Sequence, residues 1–92
     1  MVSAADDSWS DLLLRVGGNI IRRRNAARLT QAGLAEKLDV AEEHLRRVEG
    51  GKRAPSLQLL HRCANEFGVD VLDLFEDRPA PARNPGRPRR RG

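Results

Sequence analysis

The sequence contains few of the residues from which sheets, disulfide bonds and membrane spans are built. It has two Phe, one Trp and no Tyr, and it lacks runs of β-branched residues, so a sheet core is not expected. One Cys in 92 residues excludes an internal disulfide bond and fits a reducing compartment. No apolar run approaches the length of a membrane span, and the N-terminus resembles no signal peptide. We therefore expect a single small helical domain in the cytoplasm.

Positive charge is concentrated in two parts of the chain, whose net charge is +4. Residues 15–53 carry ten bases against five acids, and residues 78–92 carry six arginines and no acid. The stretches 1–14 and 54–77 are net acidic. Two basic blocks are typical of a nucleic-acid-binding protein, although a basic face can also be an ordinary solvated surface.

Apolar residues between Asp11 and Phe75 recur at helical spacing and predict five short helices. The predicted helices cover residues 11–28, 31–38 and 41–50, the segment from Ser56 to Gly68, and a short segment after Asp70. The predicted inward-facing residues are Leu13, Val16, Ile20, Ala27, Leu34, Ala35, Leu38, Leu45, Val48, Leu57, Leu60, Ala64, Phe67, Val71, Leu74 and Phe75. The expected fold class is a compact, orthogonal all-α domain.

The domain is predicted to cover residues 11–77, after an N-terminal arm at 1–10. Trp9 in this arm is expected to cover one end of the core, the alternative being a contact with a second copy of the chain. Residues 78–92 are rich in Arg and Pro and bury no apolar area, which predicts a disordered tail.

Two predicted helices joined by the turn Asp39-Val40 indicate a helix-turn-helix, whose second helix enters the major groove of DNA. The run TQAGLAEKLDVAEEHLRRVEGGKRAPSLQLLHRCANEFGVDVLDLF, with VGGNIIRRRNAAR before it, resembles the Cro/repressor-type helix-turn-helix, or XRE family. Its most specific motifs are Thr30-Gln31, Leu34-Ala35, the turn Glu49-Gly50-Gly51-Lys52, Pro55-Ser56-Leu57 and Gly68-Val69. The resemblance implies a five-helix, lambda-repressor-like fold.

Arg24 and Glu49 are predicted to form a structural ion pair. Arg24 lies on the inner stripe of the first helix, and a buried guanidinium needs a partner. Glu49 lies beside Leu45 and Val48 on the inner face of the third helix, and the family makes this pairing at the matching positions.

The outer face of the third helix is expected to meet DNA. The resemblance implies that positions 42, 43 and 47 reach base edges, and that a glutamine at position 31 contacts phosphate and base. Arginine binds guanine in bidentate fashion and glutamate accepts from cytosine, so Arg47 is the first choice for a specific contact, and the glutamates read cytosine or reject phosphate. The candidate DNA-binding residues are Gln31, Glu42, Glu43, His44, Arg46, Arg47, Lys52 and Arg53.

The sequence departs from the family pattern at three positions. Arg28 and Asp39 stand where the family usually has Gly, in an expected left-handed conformation that costs Arg28 on the order of 1 kcal/mol. Ala41 replaces the usual Ser or Thr cap of the third helix. Glu42 and Glu43 then lie in its first turn, where the helix dipole stabilises negative charge.

The tail contains a second candidate for DNA contact. Gly86-Arg87-Pro88, followed by Arg89, Arg90 and Arg91, is similar to an AT-hook, which places arginines in a narrow minor groove. Pro85 stands where the usual arginine would be, and non-specific attraction to phosphate or a role in solubility remain alternatives.

No catalytic set, cofactor motif or metal-ligand pattern occurs in the sequence. His61 and Cys63 face different directions on one helix, so Cys63 is expected to be a core thiol. We expect a bacterial or phage regulator that binds double-stranded DNA as a homodimer, similar to phage repressors or restriction–modification controllers, without a small-molecule ligand. The alternative is an antitoxin or adaptor whose acidic helix start binds a basic protein. An enzymatic role is the third and least supported hypothesis.

Overall fold

The protein folds into four α-helices followed by a 3₁₀ helix. The structure, a computed structural model, describes the backbone of residues 2–76 and the side chains of residues 8–76. The elements are α1 (Val2–Ala26), α2 (Gln31–Leu38), α3 (Glu42–Glu49), α4 (Leu57–Phe67) and the 3₁₀ helix (Val71–Phe75). The all-α class is confirmed for the described residues, with four α-helices and one 3₁₀ helix in place of the five short helices predicted.

Every element contributes to a single core. Helix α1 packs against α3 and the 3₁₀ helix, α2 packs against α3 and α4, and α4 also contacts the 3₁₀ helix. The buried apolar residues are Val16, Ile20, Leu34, Ala35, Leu38, Leu45, Val48, Leu59, Leu60, Cys63, Ala64 and Leu74. Because each helix buries only one stripe, its opposite face remains in water.

Helix α1 differs from the prediction at both ends. It begins at Val2 because the residues before Gly17 include no helix breaker, although apolar periodicity starts only near Leu12. It ends at Ala26, so Ala27 is exposed in the following turn rather than buried. Trp9 lies in this early part of α1 and is 53% exposed, so it does not cover one end of the core as predicted.

The inner face of α4 is also rotated relative to the prediction. Leu57 is 73% exposed, while Leu59 and Cys63 occupy inner positions beside Leu60 and Ala64. The predicted and the observed sets of inner residues both satisfy helical spacing, and only packing against α2 and the 3₁₀ helix selects between them.

The predicted fifth helix is a 3₁₀ helix. Its five residues are too few for an α-helix of more than about one turn. The Asp70 carboxylate caps it by accepting from the Leu72 N–H at 2.8 Å, and the Asp73 carboxylate accepts from the Asp70 N–H at 3.0 Å. The buried Asn19 of α1 donates to the carbonyl oxygens of Leu74 at 2.9 Å and Glu76 at 3.0 Å, which holds this short helix against the core.

All four α-helices end in the same left-handed motif. The left-handed residues are Arg28, Asp39, Gly51 and Gly68, with φ between 61° and 73°. After α1, for example, the Arg28 N–H donates to Asn25 O at 2.9 Å and the Leu29 N–H to Arg24 O at 3.0 Å. This is the Schellman arrangement, which satisfies carbonyls at a helix end. The left-handed conformation expected at Arg28 and Asp39 is confirmed.

The substitution Arg28→Gly is expected to stabilise the protein by about 1 kcal/mol, because glycine adopts the left-handed conformation without a Cβ penalty. Arg28 is exposed, so little packing is lost. Urea denaturation followed by circular dichroism measures the change. The same substitution at Asp39 should stabilise less, because Asp tolerates this conformation better. An unchanged or lowered free energy of unfolding for Arg28→Gly would contradict the prediction.

Candidate nucleic-acid interface

Helices α2 and α3 form a helix-turn-helix around a shared apolar contact. Asp39 is left-handed and Ala41 is extended (φ −68°, ψ 143°), so the chain reverses within three residues between the two helices. Leu34 and Leu38 of α2 and Leu45 of α3 are fully buried between them. This packing fixes which face of α3 is turned inward.

Helix α3 buries one face and exposes the other. Leu45, Val48 and Glu49 are buried. The opposite face exposes Glu42, Glu43, Arg46 and Arg47. The structure therefore divides the helix into the same inner and outer sets that the sequence spacing predicted.

The buried Glu49 connects three helices. Its carboxylate accepts from Arg24 Nε at 2.7 Å and Nη2 at 3.2 Å, so the expected ion pair between α1 and α3 is present. It also accepts from Gln31 Nε2 of α2 at 2.8 Å, while Arg24 Nη1 donates to Leu29 O at 2.9 Å. One N–H of Gln31 is thus used inside the protein, while its second N–H and its carbonyl oxygen form no hydrogen bond with the described residues.

The exposed charges of α3 are paired with one another. Glu43 contacts Arg46 Nη1 with one oxygen and accepts from Arg47 Nε at 3.1 Å with the other. Glu42 Oε2 lies 3.6 Å from Arg46 Nη2. The four formal charges cancel, so the outer face of α3 carries no net charge. This network was not predicted, although the Glu-to-Arg pairs at i and i+4 are a visible signal for it in the sequence.

The start of α3 has no side-chain cap. Ala41 offers no hydrogen bond to the first turn, as its residue type predicted, and Glu42 and Glu43 are the acidic residues of that turn. Their negative charge lies at the positive end of the helix dipole, which stabilises α3 by a few tenths of a kcal/mol at exposed sites. The two glutamates therefore stabilise the helix as well as pairing with the arginines.

Two cations, Lys52 and Arg53, follow α3. Lys52 and Arg53 are exposed in the loop before α4, and no carboxylate of the described residues lies within ion-pair distance of either. His44 is half-buried and lines a small depression between α3 and α4, together with Ser56 and Gln58. The tail arginines predicted to contact DNA, Arg87, Arg89, Arg90 and Arg91, lie outside the described residues.

The thiol of Cys63 is protected from reaction by its burial. Cys63 is fully buried, and desolvation, followed by the negative charge of Glu49, raises the pKa of its thiol to about 12. The thiol therefore stays protonated and non-nucleophilic at neutral pH. Within the described residues, no three His, Cys, Asp or Glu side chains gather closely enough to hold a metal ion. No helix in that part of the chain is long and apolar enough to cross a membrane.

Comparison with known proteins identifies the fold and the family. A family model described as "Helix-turn-helix" matches residues 20–74, more than half of the chain, and includes the whole of α2, the turn and α3. The chain belongs to the XRE-type helix-turn-helix family. The resemblance predicted from the motifs between Val16 and Phe75 is confirmed.

Relatives of this helix-turn-helix protein are named as regulators. An uncharacterized HTH-type transcriptional regulator of Methanocaldococcus jannaschii is 45% identical over 47 residues, which are 51% of this chain and 71% of that protein. Another from Archaeoglobus fulgidus is 40% identical over 47 residues, 51% of this chain and 67% of that protein. The protein is a DNA-binding transcriptional regulator by family, and the family is not one of enzymes.

A solved structure has a similar arrangement of helices. The crystal structure of the restriction-modification controller protein C.AhdI from Aeromonas hydrophila aligns with a TM-score of 0.65 and 27% sequence identity. The alignment covers 68% of this chain and 96% of that chain. The helical core of this chain is therefore similar to nearly the whole of that controller protein.

Proposed function

We propose that this helix-turn-helix protein is a sequence-specific regulator that binds double-stranded DNA with α3 in the major groove. The observation that carries this proposal is the division of α3. Its inner face is held by Leu45, Val48 and Glu49, whereas its outer face presents two arginines and two glutamates. A helix fixed on one side and polar on the other can present side chains to base edges at a defined position.

The contacts follow from the chemistry of the exposed groups. Arg47 can donate two hydrogen bonds to guanine O6 and N7, and Glu42 or Glu43 can accept one from cytosine N4. Lys52 and Arg53 lie beside the end of α3 and have no carboxylate partner among the described residues, which suits phosphate contacts. The proposed DNA-binding residues are Gln31, Glu42, Glu43, His44, Arg46, Arg47, Lys52 and Arg53.

A homodimer is part of the proposal because one module of this size buries about 600–1,000 Å² on DNA, and two half-sites one helical turn apart add affinity and specificity. An apolar surface suited to such contact lies on α4 and the 3₁₀ helix. Leu57 is 73% exposed and Leu72 is 71% exposed, and Leu57 and Val71 line one shallow depression with His61. We favour this surface over Trp9 and Leu14 of α1, which are 53% and 57% exposed, because Leu57 and Leu72 are the more exposed.

The charge network weakens the alternative of an antitoxin or adaptor that binds a basic protein. That alternative needs the negative charge of Glu42 and Glu43 to be available. Both carboxylates lie against arginines of the same helix, so the surface offers no net negative charge to a basic partner. DNA binding does not need net charge on α3, because Lys52 and Arg53 supply it nearby.

Binding of DNA from upstream of the protein's own gene tests the proposal. Fluorescence anisotropy at two salt concentrations should show saturable binding to this duplex and weaker binding to a scrambled duplex of equal length. Sedimentation velocity of the complex should give two chains per duplex. Equal affinity for both duplexes would contradict sequence-specific binding, and one chain per duplex would contradict the homodimer.

The substitution Arg47→Ala is expected to reduce discrimination between operator and scrambled DNA by about 5- to 150-fold, the range for losing one bidentate base contact. The fold should remain intact because this side chain is exposed. Arg53→Ala is the matched control and should weaken binding to both duplexes alike, lowering the slope of log affinity against log salt by about one. Full discrimination by the Arg47 variant would remove Arg47 from base reading.

A further inference from the structure

Glu43 forms ion pairs with two arginines of α3 at once. Its two carboxylate oxygens are divided between Arg46, three residues along the helix, and Arg47, four residues along. Arg46 has a second, longer contact with Glu42 at 3.6 Å. Arg47 has no other carboxylate partner among the described residues. Glu43 is therefore the residue that both arginines share.

These pairs are exposed and weak enough for DNA to rearrange. The side chains of Glu43, Arg46 and Arg47 are between 52% and 58% exposed, so water screens their attraction. Glu43 nevertheless stays within a few ångströms of both arginines, because all three lie on one face within one turn of α3. Any DNA group that approaches the arginines also meets the carboxylate.

The carboxylate distinguishes phosphate from a base pair. A phosphate offers only negative oxygens, so it attracts the arginines but is repelled by Glu43. A G·C pair offers guanine acceptors to an arginine and the cytosine N4–H donor to Glu43, so both signs of charge find partners. Specificity is a difference of affinities, and a group that penalises the wrong partner raises it.

We propose that Glu43 is a specificity-determining residue that restrains Arg46 and Arg47 from binding phosphate indiscriminately and lets them bind where a base pair satisfies all three side chains. This inference rests on the proposed major-groove function of α3. Lys52 and Arg53, which have no carboxylate partner within the described residues, supply the general attraction to DNA. The outer face of α3, whose charges are paired, supplies the discrimination between DNA sequences.

The variant Glu43→Gln tests the proposal. It keeps the size of the side chain and removes its charge, so Arg47 loses its carboxylate contact and Arg46 keeps only the longer one with Glu42. Affinity for a scrambled duplex should rise about tenfold, and its slope of log affinity against log salt should steepen by about 0.9 for each arginine that gains a phosphate contact. The ratio of operator to scrambled affinity should fall correspondingly.

The variant Glu36→Gln is the matched control. Glu36 is exposed on α2, forms no ion pair with the described residues, and loses the same single charge on substitution. It should leave the salt slope and the affinity ratio nearly unchanged. Thermal unfolding of both variants separates binding effects from loss of structure.

Three outcomes would overturn the assignment of Glu43. An unchanged salt slope in Glu43→Gln would show that no arginine is restrained, and an equal change in Glu36→Gln would show a general effect of net charge. Loss of operator affinity without any gain on scrambled DNA would make Glu43 a base-reading residue only. A wild-type protein that does not prefer the operator would instead contradict the proposed function, and the wild-type titration detects that failure separately.

Discussion

Replacing Gly17 by alanine is expected to lower the free energy of unfolding by about 2–3 kcal/mol, within the range for overpacking a core. A Cβ built at Gly17 would lie 2.5 Å from Glu49 O and 2.6 Å from Val48 O. Both atoms are backbone carbonyl oxygens of α3, so they cannot swing away as a flexible side chain would. The helix α3 must shift as a whole, which also disturbs the Glu49 carboxylate.

The neighbouring Gly18 is a matched control for this experiment. A Cβ at Gly18 meets nothing within 4 Å, and the residue lies inside α1. Gly18→Ala should therefore stabilise the protein by about 1 kcal/mol through helix propensity alone. Urea denaturation of the two variants should give changes of opposite sign. Stabilisation by both substitutions would contradict the close approach of α1 and α3.

Operator binding provides a second measurement on the Gly17 variant. Because α3 carries the proposed reading residues, a displaced α3 should bind DNA more weakly even in the fraction that remains folded. Gly18→Ala should bind as tightly as the wild type. Retention of full affinity by a destabilised Gly17→Ala protein would indicate that α3 keeps its position and that the strain is absorbed within α1.

Gly17 and Gly18 differ in a property that the sequence does not reveal, namely their packing against α3. The sequence predicts the same cost in helix propensity for Gly17 and Gly18, because propensity is a local property. Their difference depends on which side of α1 faces α3, and it appears only when the two helices are packed. The same limit applies to Leu57, since two inner faces of α4 satisfied helical spacing and packing selected the one with Leu59, whereas the burial of Cys63 was expected.

Other features of the site were predictable because they follow from local chemistry. A buried Arg24 requires a partner, and Glu49 was the carboxylate on the facing stripe. Left-handed residues were expected at Arg28 and Asp39 from the resemblance, and both are left-handed. The pairing of Glu43 with Arg46 and Arg47 is equally local, so helical spacing alone could have predicted it.

The bond from Gln31 to Glu49 was not predictable from spacing. It depends on the crossing of α2 and α3, which brings the start of one helix to the end of the other. The length of α1 was likewise missed, because a polar helix without apolar periodicity resembles an arm in sequence. The dimer surface and the DNA contacts of α3 remain predictions.

The substitution Glu49→Ala is expected to have the largest effect on stability of any single change proposed for this protein. It removes both hydrogen bonds to Arg24 and the bond to Gln31. The Arg24 side chain is only 13% exposed, so its charge would remain largely desolvated without a carboxylate. Breaking one partner of a buried pair costs about 3–5 kcal/mol, which is comparable to the whole stability of many small domains.

A double-mutant cycle distinguishes this mechanism from simple loss of packing. The variants Arg24→Met, Glu49→Leu and their combination replace the two charges singly and together, and urea denaturation measures each free energy of unfolding. Each single variant should be strongly destabilised, because it leaves one charge or polar group without its partner. The double variant should recover much of the loss, since apolar side chains of similar size can replace a buried pair at little cost.

The double variant also separates the contribution of Glu49 to folding from its role in orienting the Gln31 side chain. In the double variant α1 and α3 can still pack, but Gln31 has lost the carboxylate that orients its amide. Operator affinity should therefore stay below that of the wild type even where stability recovers. Full recovery of both stability and operator affinity would show that Glu49 serves only to pair with the charge of Arg24. Additive losses of stability in the double variant would contradict the ion pair as the source of stability.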